Sequence, residues 1–151
     1  MCDKEKGVFA VVASENSLYF WNVKENFLFT SIQLSLPCAP LHIFLHPREE
    51  YLFLVVQNSQ SRFTLLCLGR LEYAELKSFH APFHVADSTV AENLLVASGP
   101  AGELLFWDML TGAPLGTITD RHADGVLSIA IGQDLMCTFT ERGRLHVYRI
   151  F

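Results

Sequence analysis

A six-residue pattern that returns at a fixed interval constrains the fold of this chain more than any other feature. Cys38-Ala39-Pro40-Leu41-His42-Ile43 is echoed by His80-Ala81-Pro82-Phe83-His84-Val85 and more faintly by His122-Ala123-Asp124-Gly125-Val126-Leu127, each start 42 positions after the last. A second marker falls on the same lattice: Trp21, Leu66, Trp107 and Tyr148, spaced 45, 41 and 41 residues apart, each sit fifth in a segment that begins polar and turns apolar. A period near forty suits one four-stranded unit. Such a unit cannot bury both faces alone, so its neighbours must stack on it to make a core.

Composition is consistent with that demand. Half of the 151 residues are hydrophobic, twelve of them Phe, and only 18% are charged, the profile of a folded chain rather than a disordered one. The net charge of -5 and the scatter of the eleven basic residues offer no footprint for a polyanion, which disfavours a nucleic-acid partner. The four cysteines, at 2, 38, 67 and 137, make no C-x-x-C pair, so a reducing compartment is the simpler reading. The apolar run after the mixed-charge amino terminus is broken by Glu15 and Asn16, too soon for a signal core. No stretch reaches the roughly 18 apolar residues of a membrane span. The expectation is a cytoplasmic or nuclear protein with no membrane partner.

Short runs rich in β-branched, Leu and aromatic residues, cut by turn formers, predict strands over 8–14, 17–23, 27–34, 40–46, 51–57, 62–69, 71–79, 83–88, 93–98, 103–109, 114–119, 126–131, 134–140 and 144–150. Glu15-Asn16, Pro47 to Glu50, Pro100-Ala101-Gly102, Thr111-Gly112 and Arg142-Gly143 supply the turns. No interval reads as a helix. In 17–23, Leu18 and Phe20 point one way while Tyr19, Trp21 and Val23 point the other; Leu104 and Phe106 oppose Leu105, Trp107 and Met109 in the same manner. Sheets apolar on both faces must be sandwiched, and with no helices the cover is another sheet of the same kind.

These residues resemble the WD-repeat (WD40) β-propellers. Leu94-Leu95-Val96-Ala97-Ser98-Gly99 followed by Gly102-Glu103-Leu104-Leu105-Phe106-Trp107-Asp108 is similar to the end of a WD repeat, including the Trp-Asp pair. The resemblance implies a buried hydrogen-bonded network, onto which His80, Ser98 and Trp107 map in the third unit, beside Asp108, with Asp87 as a further candidate. Elsewhere the motif decays: Trp21-Asn22 in the first unit, Cys38 and Leu66-Cys67 in the second, His122, Thr140 and Tyr148-Arg149 in the fourth.

Naming the strands of a blade a to d from the axis outward, the chain reads b-c-d, a-b-c-d, a-b-c-d, a-b-c. The expected fold is all-β, a partial WD40-like propeller of about three and a half four-stranded antiparallel blades, one domain over residues 1–151 with units at about 8–34, 35–79, 80–120 and 121–151. The resemblance implies a genuine carboxy terminus at strand c and a cut beginning, hence the carboxy-terminal half of a longer propeller. Unpaired blade edges then suggest self-association.

Catalytic signals are weak beside their structural readings. His42-x-x-x-His46 and His80-x-x-x-His84 have two-ligand metal spacing, but that spacing converges on a helix face and these segments read as strand or turn. Ser98-Gly99 lacks a nucleophile elbow, the glycines open no phosphate-binding helix, and Glu49-Glu50 suits a solvated turn. Tyr19, Trp21, Phe106 and Trp107 could stack on bases, but core packing suits two-sided apolar strands better. Arg142, Arg144 and Arg149 fit either an acidic partner or a charged strand edge.

The expectation is therefore a non-enzymatic scaffold with no cofactor and no metal, which binds partner proteins or peptides in a multiprotein complex through its loops. The loops joining d to a and b to c lie on one face. They carry Glu15, Asn16, Asn58, Ser59, Pro82, Pro100, Asp120, Arg121, Asp124, Glu141 and Arg142. The alternative is an enzyme or nucleic-acid-binding module on the same propeller, using His42, His84 and Asp87 of the inner strands.

Overall fold

The computed structural model describes residues 8–12, 17–22, 26–34, 40–45, 51–57, 63–69, 75–119 and 124–150. Every regular element among them is a strand. The first sheet holds β1 (Val8–Val12), β2 (Ser17–Asn22) and β3 (Phe27–Gln33). The second holds β4 (Pro40–Leu45), β5 (Tyr51–Gln57), β6 (Phe63–Gly69) and β7 (Glu75–Ala81). The third holds β8 (Asp87–Ala91), β9 (Leu94–Ser98), β10 (Leu104–Asp108) and β11 (Pro114–Ile118). The fourth holds β12 (Val126–Gly132), β13 (Leu135–Thr140) and β14 (Leu145–Arg149). Each sheet is an antiparallel meander in chain order, and the three-four-four-three strand count is the one expected.

Alternation along the strands explains why the sheets stack. In β9, Leu95 and Ala97 point back toward the second sheet and share a core with Phe53, Val55, Leu65, Phe79 and Trp107. Val96, on the opposite face, points forward and joins Leu104, Val126, Ile129 and Met136 between the third and fourth sheets. Each fully buried large apolar side chain contributes about 1.5–3 kcal/mol. The period-two pattern thus converts directly into blade-on-blade packing. The first strands β4, β8 and β12 lie beside one another in turn, on the inner side, whereas β11, the last strand of its sheet, is largely exposed. Pro114 is tolerated at the start of that outer strand, where a missing N–H costs no ladder bond.

Two strands are displaced from the expected positions by about half their length. β7 runs on to Ala81 because Thr64 and Phe63 pair with His80 and Ala81, and Pro82 then ends it. β8 starts at Asp87 rather than 83, opposite Ser98. The stretch from Pro82 to Ala86 is a connector that crosses from one blade to the next.

Candidate functional site

The connectors between blades and the b-to-c turns come together at one end of the sheets. In the third blade, Phe83 of the connector packs so closely on Gly99 that an added Cβ there would lie 2.8 Å from its ring and 2.4 Å from a Glu103 carboxylate oxygen. In the fourth blade the close-packed glycine is on the connector itself, at Gly125: a Cβ would meet the Pro100 carbonyl at 2.6 Å and the Glu141 carboxylate at 3.1 Å. Backbone bonds from Val126 N–H to the Gly99 carbonyl and from Glu141 N–H to the Gly125 carbonyl close the cluster. Two successive blades therefore present a continuous loop surface. Pro82, Pro100, Glu141 and Arg142 are exposed on it.

Asp124 does not belong to that exposed set. It is only 9% exposed, and its carboxylate accepts hydrogen bonds from the Arg142 N–H at 3.0 Å, the Arg144 guanidinium at 2.8 Å and the Thr140 hydroxyl. The Thr140 bond first, then the Arg142 amide and the two arginine charges, hold this carboxyl below the usual carboxylate range against the opposing effect of desolvation. Its role is to brace the connector against the Thr140 to Arg144 turn, with Gly143 at φ 75° making the bend. Expected as a surface contact, Asp124 is a buried strut.

The residues mapped to a buried network separate into different surroundings. Ser98 is fully buried; its hydroxyl accepts from the Asp87 N–H at 3.2 Å and lies within donating distance of the Asp87 and Val126 carbonyls, at 3.2 and 3.3 Å. The Asp87 carboxylate accepts from Ser88 N–H at 2.9 Å and reaches across the seam to Ile129 N–H at 2.7 Å. Ser98 and Asp87 thus form a polar link between the third and fourth blades. His80 is exposed on β7 and shares a 3.1 Å hydrogen bond with Thr64. Trp107 lies in the core between the second and third blades, edge-on to Phe79 at 6.0 Å.

Asp108, the partner of that tryptophan in sequence, serves the opposite end. Its carboxylate accepts from Thr111 N–H at 2.8 Å within a turn where Gly112 has φ 77°, and this backbone bond holds its carboxyl below the ordinary range. Lys77 crosses from the second blade to the carbonyls of Met109 (3.1 Å) and Leu110 beside it. The three arginines divide in the same way: Arg142 and Arg144 stand at the loop surface, while Arg149 faces Asp134 at 3.4 Å at the far end. They form no single basic patch.

Among the described residues, no group of three or more His, Cys, Asp or Glu is arranged to hold a metal ion, and no helix is long and apolar enough to cross a membrane. His84 is exposed and meets Phe63 edge-on at 4.7 Å. Burial pushes the Cys67 thiol up to about 11, with the Lys77 charge opposing, so at neutral pH it stays a protonated core group. Glu15, Asn16, Ser59, Asp120, Arg121 and His122 lie outside the described residues, as do the side chains of Trp21 and His42. Sequence reasoning offers Asp87 as a network candidate, but it misses the bond of Asp87 across the seam to Ile129 and the bracing role of Asp124. Apart from Ser88, their partners lie 11 to 42 residues away, so the local signal is an acidic residue beside the starts of β8 and β12.

The arrangement is shared with solved structures of low sequence identity. A computationally designed protein, Ika4, superposes with a TM-score of 0.74 at 16% identity, over 97% of this chain and 87% of its own. A chain in the crystal structure of the mitotic checkpoint complex gives 0.73 at 13% identity over 95% of this chain, and the designed Ika8 gives 0.70 at 16% over 96%. This chain spans 43% of each of those last two. No protein-family model and no curated protein matches the chain. Stacked antiparallel meanders, first strands innermost, and these superpositions together make the fold an all-β, partial β-propeller.

Proposed function

We propose that this protein is a non-enzymatic scaffold of the WD-repeat type, which binds partner proteins or peptides on the loop surface built by its connectors and b-to-c turns. The observation that carries this reading is the continuity of that surface across two blades. Pro100, Glu141 and Arg142 are exposed together, and the Glu141 and Arg142 amides are held by the Gly125 carbonyl and the Asp124 carboxylate, so the frame that presents them is fixed. Mixed charge and exposed proline suit a polar protein interface, where a rigid frame lowers the entropic cost of binding. The similar chain in the mitotic checkpoint complex belongs to a multiprotein assembly, which supports a partner of the protein class. A cytoplasmic or nuclear setting belongs to the same proposal.

The test is affinity purification of the intact chain beside a P100E/R142E variant, followed by titration of each identified partner against both purified proteins. A partner whose affinity drops at least tenfold for the variant, with the far-ultraviolet circular dichroism unchanged, bears the proposal out. If every partner binds both proteins equally, the loop surface is not the binding site.

A further inference from the structure

The fourth blade repeats, position by position, the forward face that builds the core of its neighbour, yet leaves it open. Leu94, Val96, Leu104 and Phe106 of the third blade lie in or against the core that the fourth blade covers. One repeat of 41 residues further on stand Leu135, Cys137, Leu145 and Val147. Register confirms that these share one face: Phe139 pairs with Leu145, Cys137 with Val147 and Leu135 with Arg149. Leu104 is fully buried, whereas Leu145 is 66% exposed and Val147 56%. Leu135, Phe139 and Leu127 are exposed beside them. An apolar surface of this kind on a protein rich in polar turns is an interaction site.

We propose that this face packs against the back of the first blade of a second copy of the chain, so that two copies close into one ring. The reason for this occupant lies in the rule the molecule already follows. At the seams between the second and third blades and between the third and fourth, a forward face is covered by a back face, the second blade by Leu95, Ala97 and Trp107 and the third by Val126, Ile129 and Met136. The fourth blade has the forward face, and the first blade supplies a back face: Leu18 and Phe20 are buried, at the repeat positions of Leu104 and Phe106, while Tyr19 on the opposite side is half-buried. Trp21 stands at the repeat position of Trp107. Two copies arranged head to tail, related by two-fold symmetry, cover the forward face of each fourth blade with the back of a first blade. This contact runs through blade faces, not edges, and it does not depend on the loop surface proposed above.

Sedimentation equilibrium on the full chain tests the stoichiometry, with twice 17.0 kDa expected. A L145E/V147E variant, altered where the single chain is exposed, is expected to sediment as a monomer with unchanged circular dichroism. A mild-oxidation experiment on Y19C keeps the test independent of any disruptive charge: a disulfide between Cys137 of one copy and the thiol introduced in the first blade of the other is expected, mapped by peptide mass. A monomeric wild-type chain, an assembly of any other number, a L145E/V147E variant that remains dimeric, or a Cys137–Cys137 link between two fourth blades would overturn the proposal.

Discussion

The third and fourth blades are built from the same alternating code, yet one is a core and the other half a surface. Leu104 and Leu145 occupy the same repeat position, and the first is sealed while the second is mostly in solvent. What separates them is the neighbour, not the strand. A propeller strand with two apolar faces states a demand for two covers, and the structure shows which demands are met within the chain. The loop ends differ as well. In the third blade the connector is fastened by an aromatic ring on a glycine, Phe83 on Gly99; in the fourth it is fastened by charge, Asp124 on Arg144 and the Arg142 amide.

The sharpest way to break this comparison is to shorten both leucines. Leu104→Ala should cost about 2–5 kcal/mol by leaving a cavity between blades, seen as a lower urea midpoint. A cost near that of an exposed site would mean the seam is not a packed core. Acid should separate the two loop ends next. Because Asp124 has its carboxyl lowered in the fold, its contribution is present above the ordinary carboxylate value, about 3.9, and is lost as pH falls through the folded one. The stability gap between wild type and Asp124→Asn should therefore be open at neutral pH and close in strong acid, in urea titrations at a series of pH values; a gap independent of pH would show that the charge is not what braces the turn.

A smaller effect comes from the turn itself. Gly143→Ala, at positive φ with open space around it, should cost about 1 kcal/mol from backbone strain alone, measured by thermal melting. Smallest of all is Leu145→Ala in chains dilute enough to be single, where a change within about 0.5 kcal/mol is expected. A loss comparable to that of Leu104→Ala would show that the face is covered within one chain.

Much of the fold was legible because it rests on period two and a repeat near forty. Leu18, Leu104, Val96 and Trp107 reveal their faces by alternation alone, and the strand count follows from the turns. The boundary between the second and third blades was harder to read: the apolar stretch around Phe79 to Val85 runs through both a strand end and a connector, and only the pairing of His80 with Thr64 decides where the strand stops. The site was less legible still. The resemblance points to Ser98 and Asp87 as network residues, but their bonds across the seam, to the Val126 carbonyl and the Ile129 amide, come from the stacking of sheets, and Asp124 finds Arg142 and Arg144 only when its own blade folds back on the connector. His80 carries the look of a repeat-start histidine, yet it ends on an outer strand, exposed, with Thr64 as its partner.

The Asp87 carboxylate, 2.7 Å from the Ile129 amide, has a consequence beyond holding two sheets together. An inner-strand amide of the fourth blade is sheltered by a side chain anchored in the third, so its exchange with solvent hydrogen must wait for the seam to open. The isotope-exchange rate at Ile129 is then a gauge, at a single atom, of how often one vane swings away from the next.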